Sequence, residues 1–447
     1  VFAIRRTLVM AALCAGLGLP ATADVSGPYL AARSADRARD FVQASMYFTQ
    51  ALVQDPANAT LLDGLVHNQL LAGNVEAATP VARRLQSLGV ASQAANMVLM
   101  AERIRGSDYK GLLADLNAGE QVGPLVDGLV RGWADLGEGR MSEALGAFDT
   151  LAQTEGLAFF GLYHKALALA MVGDLEGADA LLANPDHGLR TTRRGAIAHI
   201  EVLALLDRRD EALALIDELR RSDEDIELAT LRQTIEAGAL TGFSVLRDAR
   251  DGMAEVYLLM ATALRGEVSD LHALLHARVA QDLRPDLHDA TLMAASILEG
   301  LGQYDLALAA YAKVPDNTVY SLPARLSAAQ ALYAAGRKAE SLDALRALAA
   351  DLPDVVSVHL ALGDTLRRDE QWTDAAASYG RAIDLLGEPE PQHWAIFYSR
   401  GIVWERAKEW DRAEPDFRKA LVLNPDQPQV LNYLGYSLLD MNRNLAE

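Results

Sequence analysis

His272 and His276 stand four residues apart, a spacing that puts two imidazoles on one face of a helix. With Asp270, Asp282, His288 and Asp289 nearby in sequence, that is the raw material of a metal site. Cys14 is the only cysteine, so the rest of the chain has no disulfide, thiolate ligand or cysteine nucleophile. Arg190, Arg193 and Arg194 form a basic cluster suited to an anion or to neighbouring carboxylates, and Asp223, Glu224 and Asp225 form an acidic run suited to a solvated helix end. There is no G-x-x-x-x-G-K-[ST] loop to cradle phosphates, no strand followed by G-x-G-x-x-G, and no G-x-S-x-G elbow. The expected catalytic, cofactor-binding and metal-ligating sets are therefore empty. A net charge of −20, from 61 acidic and 41 basic residues, argues against a grip on nucleic acid or anionic lipid, both of which need a basic surface.

The elements that must carry these residues follow from a period. In the segment starting at Trp394, the residues Phe397, Arg400, Gly401, Trp404, Ala413, Phe417, Ala420 and Pro425 occupy positions 4, 7, 8, 11, 20, 24, 27 and 32. Counting back by the same step gives starts at Val356, Leu322, His288 and Ala254, with an insertion, 390–393, before Trp394. Starts at Val25, Ala59, Leu125, Phe159 and Arg193 share the phase. Position 20 is small in all ten complete units: Ala44, Ala78, Ala144, Ala178, Ala212, Ala273, Ala307, Ser341, Ala375 and Ala413. A small residue at position 8 facing one at position 20 lets two helices approach closely. Larger side chains at positions 4, 7, 11, 24 and 27 fill the flanks at helical spacing. Pro56, Pro285, Pro353 and Pro425 end second helices, because proline cannot continue them.

This pattern resembles the tetratricopeptide repeat, a helix–turn–helix unit of about 34 residues. The resemblance covers nearly all of 25–447 and implies an all-α, right-handed superhelical solenoid, each hairpin burying its apolar face against the next. Within it, His272 and His276 fall at positions 19 and 23, beside the packing positions and toward solvent, which makes a metal site the weaker reading. Trp372, Trp404 and Trp410 hold stacking positions.

Two segments break the rhythm, 93–124 as a degenerate helical pair and 227–253 as one helix, 227–239, followed by a mixed stretch. The second is read as a seam between a half at 24–253 and a C-terminal array at 254–447. The last unit, 428–447, stops at position 20, which points to continuation beyond Glu447. The first 23 residues read as an export signal: Arg5 and Arg6, an apolar run over 7–19 too short to be a typical span, then Ala21-Thr22-Ala23 before Asp24. Cys14 lies inside it, after Leu13 rather than the small residue that lipid attachment favours, so ordinary cleavage and a periplasmic location are expected, with no transmembrane span in the mature chain.

What the resemblance implies about function is the holding of other proteins. Positions 2, 5, 9 and 12 of the first helices line the concave surface in such solenoids. Here they include Tyr29, Arg33, His67, Leu129, Trp133, Phe160, Tyr163 and Leu167 in the N-terminal half. In the C-terminal half they include Leu258, Leu292, Gln330, Tyr333, Leu360, Asp364, Arg367, Tyr398, Glu405, Asn432 and Tyr436. Exposed aromatic side chains among polar ones are what a peptide groove requires. Tyr29, Arg33, Trp133, Tyr163, Tyr333, Arg367, Tyr398, Asn432 and Tyr436 are the candidate partner contacts. Some relatives grip a peptide carboxylate with Lys at position 5 and Asn at position 9, a pair that no unit here carries. The expected function is a non-enzymatic periplasmic scaffold for protein or peptide partners in envelope assembly, secretion or proteolysis. The alternatives are a component of a polysaccharide or pilus export machine, or the repeat part of a larger enzyme extending past Glu447.

Overall fold

A computed structural model describes residues 26–219, 225–266 and 269–440. The export-signal reading with Cys14, the acidic Asp223 and Glu224, and residues 441–447 of the final unit lie outside the described residues. Among those described there is no strand, and no helix is long and apolar enough to cross a membrane.

Helices follow one another as antiparallel hairpins. The N-terminal ones are α1 (Ser26–Arg37) with α2 (Phe41–Gln54), α3 (Ala59–Ala72) with α4 (Val75–Ser87), and α5 (Gln93–Arg105) with α6 (Tyr109–Ala118). Then come α7 (Pro124–Gly137) with α8 (Met141–Ala152), α9 (Ala158–Val172) with α10 (Leu175–Leu182), and α11 (Arg193–Leu205) with α12 (Arg209–Leu219). After the single α13 (Ile226–Glu236), α14 (Ala249–Leu264) pairs with α15 (Asp270–Leu283), and α16 (His288–Gly300) with α17 (Tyr304–Tyr311). The C-terminal hairpins are α18 (Ser321–Ala334) with α19 (Lys338–Asp351), α20 (Val356–Arg368) with α21 (Trp372–Leu385), and α22 (Trp394–Arg406) with α23 (Trp410–Leu423), before α24 (Pro428–Asp440). The insertion before α22 is a 3₁₀ turn, Pro391–His393.

The packing explains the period. All ten residues at position 20 are fully buried. The one that is not alanine, Ser341, satisfies its hydroxyl by donating to the Ala329 carbonyl at position 8 of the same unit, at 2.7 Å. Where position 8 is glycine, the aromatic ring of position 24 lies on it. A Cβ on Gly132 would sit 2.5 Å from Phe148, on Gly363 2.9 Å from Tyr379, and on Gly401 2.8 Å from Phe417. Helix starts are held by side-chain caps such as Asp40, Asn58, Asp108 and Asp174, each accepting from a backbone N–H of its first turn.

This register yields a local test at the end of the array. Ala413 is fully buried, against Phe417 and Ala420 in a small apolar cluster shared by α22, α23 and α24. Ala413→Arg places a charge there without a partner, so helix signal from 394–440 is lost while the melting of the rest is preserved. Unchanged circular dichroism and melting would refute the register.

Two features depart from the pattern. α14 begins at Ala249, ahead of the repeat start at Ala254, because the Asp248 side chain accepts from the Asp251 N–H and caps it early. More important, α14 and α15 do not simply follow α13 along a row. α14 packs against α7, α9 and α5, and α15 against α3, α4 and α5, so the second hairpin series begins inside the curve of the first. One apolar core therefore runs from Phe41 to Ala331 across the proposed seam, whereas α19–α24 lie in smaller separate clusters, as do parts of α1–α3 and α11–α13.

Polar groups fix this docking. Arg105 of α5 pairs with Asp282 of α15. Buried Arg278 donates to the Leu71 carbonyl, near the C-terminal end of α3, at 3.2 Å. A guanidinium is favourable at such an end, where carbonyls lack helical partners. Gly73, the C-cap of α3 at φ 87°, lets the chain turn there directly under that guanidinium.

Candidate functional site

The concave row reads cleanly from the first two units of the C-terminal array. α14 contributes Glu255, Leu258 and Thr262 at positions 2, 5 and 9 and its C-cap Arg265 at position 12, and α16 contributes Asp289, Leu292 and Ser296 at positions 2, 5 and 9. These residues line one cavity of about 550 Å³. Its far wall comes from the N-terminal half: Tyr163 of α9, Thr191, Thr192, Arg193 and Arg194. Met293, Tyr311 and Pro323 extend the apolar part toward α18.

The wall between the halves is an ionic network. Arg194 donates through Nε to both Glu255 oxygens at 2.8 and 2.9 Å and through Nη1 to Asp289 at 2.8 Å. The Tyr163 hydroxyl donates to Glu255 at 2.8 Å, and Tyr320 donates to Glu227 at 2.8 Å and to Asp289 at 3.3 Å. Burial by itself would raise the Glu255 carboxyl, but the charge and hydrogen bonds of Arg194, with the Tyr163 hydroxyl, bring it below the ordinary glutamate range. Asp289 is shifted upward instead, because its burial outweighs Arg194. Burial, then Glu255, holds the Tyr163 phenol well above its usual value. Arg193 is occupied by Asp225 and Glu227, at 2.7 Å from each. Arg193 and Arg194 are thus neutralised by this chain's own carboxylates.

The N-terminal groove residues are a correction. Trp133 and Tyr163 were expected to face a partner, but both are buried, as are Leu129 and Leu167. α14 covers them: Gly252 lies so close to the Trp133 indole that a Cβ there would come within 2.3 Å of its ring atoms. The Trp133 Nε1–H donates to His164 Nδ1 at 3.0 Å. His164 is wholly enclosed, and burial lowers its imidazole to about 4. Tyr29 is half-buried in the cluster of α1–α3, and Arg33 pairs with Asp36 at 3.2 Å.

The histidine pair also departs from expectation. His272 is exposed, but His276 is buried against Tyr257 and its Nδ1 is 2.9 Å from the His272 carbonyl, because the face read as solvent-facing is the one docked on the N-terminal half. Trp410 is buried, and Trp404 stacks under Arg412 at 4.6 Å.

In the C-terminal array Leu258 is buried, but beyond it the concave row stays accessible. Tyr333 is half-buried with Lys338 and Arg368 over its ring at 5.4 and 6.0 Å. Arg367 Nε donates to the Tyr379 hydroxyl at 3.2 Å, which in turn donates to Asp364 at 2.6 Å. Tyr398 sits in a ring cluster with Trp394, Phe417 and Tyr433, all about 6 Å away. Asn432 is exposed and Tyr436 is 67% exposed. The Arg194, Glu255 and Asp289 network went unrecognised as a site in the sequence reading. Its signal was there in register, an acidic residue at position 2 of two successive units beside a pair of arginines.

Comparison with known proteins finds the same repeat in part of the chain. A tetratricopeptide repeat family model matches residues 326–387 and 360–428. A TPR repeat-containing protein of Pseudomonas aeruginosa is 28% identical over 142 residues, which is 32% of this chain and 23% of that protein's length. Among solved structures, yeast Tom70 aligns with 94% of this chain and 88% of its own at a TM-score of 0.36 and 13% identity. A tetratricopeptide repeat protein from Parabacteroides merdae aligns with 62% of this chain and 98% of its own at 0.34 and 18% identity. Residues 326–428 are thus tetratricopeptide-repeat sequence, and the described residues as a whole form an all-helical array of hairpins.

Proposed function

We propose that this protein is a non-enzymatic scaffold that holds a protein or peptide partner along the concave row of α14–α24, and that it works in the periplasm after export. The observation that carries the reading is the contrast between the two rows. The row of α3–α9 is filled by α14 and α15, whereas the row from Leu292 to Tyr436 keeps aromatic and charged side chains accessible. Location rests on the basic, apolar and A-x-A order of the first 23 residues, and envelope assembly, secretion or proteolysis are the processes such a scaffold would serve.

The test uses residues whose loss leaves the core intact. Tyr398 is part of a ring cluster, so the variant combines Tyr333→Ala, Arg367→Ala and Tyr436→Ala. It is expected to melt close to wild type and to lose the proteins that wild type captures from the native envelope, read by mass spectrometry. Equal capture by both would remove the groove assignment. Fractionation with intact mass settles location: a periplasmic chain beginning at Asp24 is expected, and a cytoplasmic chain retaining Arg5 and Arg6 would overturn it.

A further inference from the structure

The cavity at the head of this groove has a chemistry of its own. Its apolar surface comes from Leu258, Leu259, Leu292, Met293 and Pro323, and its volume of about 550 Å³ lies in the range of sites that enclose a small ligand or a few residues of a peptide. Around that surface the charges are nearly all consumed. Glu255 and Asp289 are held by Arg194, and Arg193 by Asp225 and Glu227. Glu299, one turn beyond Ser296 on α16 but outside the cavity lining, accepts the neutral Tyr311 hydroxyl at 3.1 Å and keeps its charge.

Arg265 is the exception. Its guanidinium lines the cavity, is exposed, and among the described residues bonds only neutral atoms, Ser296 Oγ at 2.7 Å and Met293 Sδ at 3.5 Å. A guanidinium offers five N–H donors, so most of its fork remains for a ligand. The Ser296 bond holds that fork over the apolar floor.

Resting on the scaffold reading above, we infer that this cavity is a peptide site for an apolar side chain adjoining an acidic one. Leu258, Leu292 and Met293 receive the apolar group, and Arg265 receives the carboxylate. A neutral or basic segment would leave the fork unsatisfied or meet it with like charge. The lining reaches α18 at Pro323 and Ser327, the helix that also carries Tyr333. The net charge of −20 acts on encounter and favours partners with a basic surface. The cavity reads only the few residues that enter it.

The experiment is an array of acetylated, amidated heptapeptides whose central residue is Asp, Asn or Lys between pairs drawn from Leu, Phe, Ser and Gly. The array is probed with the full chain, with Arg265→Glu, and with the Tyr333, Arg367 and Tyr436 triple variant. Wild type is expected to retain Asp peptides with apolar neighbours roughly tenfold better than their Asn counterparts. Arg265→Glu, an exposed change that leaves the core untouched, is expected to reverse the preference toward Lys. Equal retention of Asp and Asn, or a preference unaltered by Arg265→Glu, overturns the inference. If peptides bind without charge preference and are lost in the triple variant, the scaffold reading stands and this site assignment falls. If wild type retains sodium decanoate but no peptide, the occupant is an acyl carboxylate and the peptide assignment is wrong.

Discussion

Arg194→Ala is expected to destabilise the protein by about 3–5 kcal/mol at neutral pH, the cost of leaving a buried charge without its partner. Glu255 has only 2% of its side chain exposed, and its remaining partner, the Tyr163 hydroxyl, cannot supply a positive charge. Asp289 loses the same cation and is already pushed upward by burial. The pH dependence separates this account from a simple loss of packing. In the wild type the folded Glu255 carboxyl lies below its unfolded value, so its contribution is complete above the ordinary glutamate range, about 4.3, and is lost as pH falls through the lower folded value. In the variant burial, the largest influence on this carboxyl, raises it and is opposed mainly by the weaker Tyr163 hydrogen bond. The folded variant then binds a proton more readily than the unfolded chain, so its deficit is largest at pH 7 and shrinks as pH falls toward 5. Urea unfolding of both proteins at the two pH values measures this. A deficit below 1 kcal/mol, or one that does not change with pH, would mean that the network is not what holds α11 to α14.

The second large effect belongs to Trp133. Its indole is buried between Phe148, edge-on at 5.6 Å, His164, and the backbone of α14 at Gly252. Trp133→Ala removes one of the largest fully buried side chains and opens a void that a glycine-faced helix cannot fill, at a cost of about 3–5 kcal/mol. It also leaves His164 Nδ1 without its donor in an enclosed site. The loss is expected to appear first as faster amide exchange in α14 and α7, with α20–α24 keeping their protection, because the latter hold separate clusters. Had Trp133 been a groove residue, alanine would have spared stability and affected partner binding alone. A stability change below 1 kcal/mol would restore that reading.

Much of the fold is legible in the sequence because repeat packing is local. Position 20 is buried in every complete unit, and Gly132, Gly363 and Gly401 take the ring of position 24, because each hairpin solves the same close-approach problem with residues about sixteen apart. Asp289 and Leu292 stand in the concave register for the same reason. What the period does not encode is which concave positions a distant hairpin will cover. Trp133 and Tyr398 both lie in first-helix concave register, one sealed under α14 and the other half-exposed. His276, next to the helix face expected to meet water, became part of the docking surface on the N-terminal half.

Sequence alone determined the hairpins, their register and the class of protein, since these depend on contacts within a unit and with its neighbours. Only the tertiary structure decided that the N-terminal groove is filled by the chain itself and that the accessible row begins at the Arg194 network. Those outcomes turn on long-range pairs, Trp133 with Gly252, Arg105 with Asp282 and Arg194 with Glu255, whose partners lie far outside any repeat period.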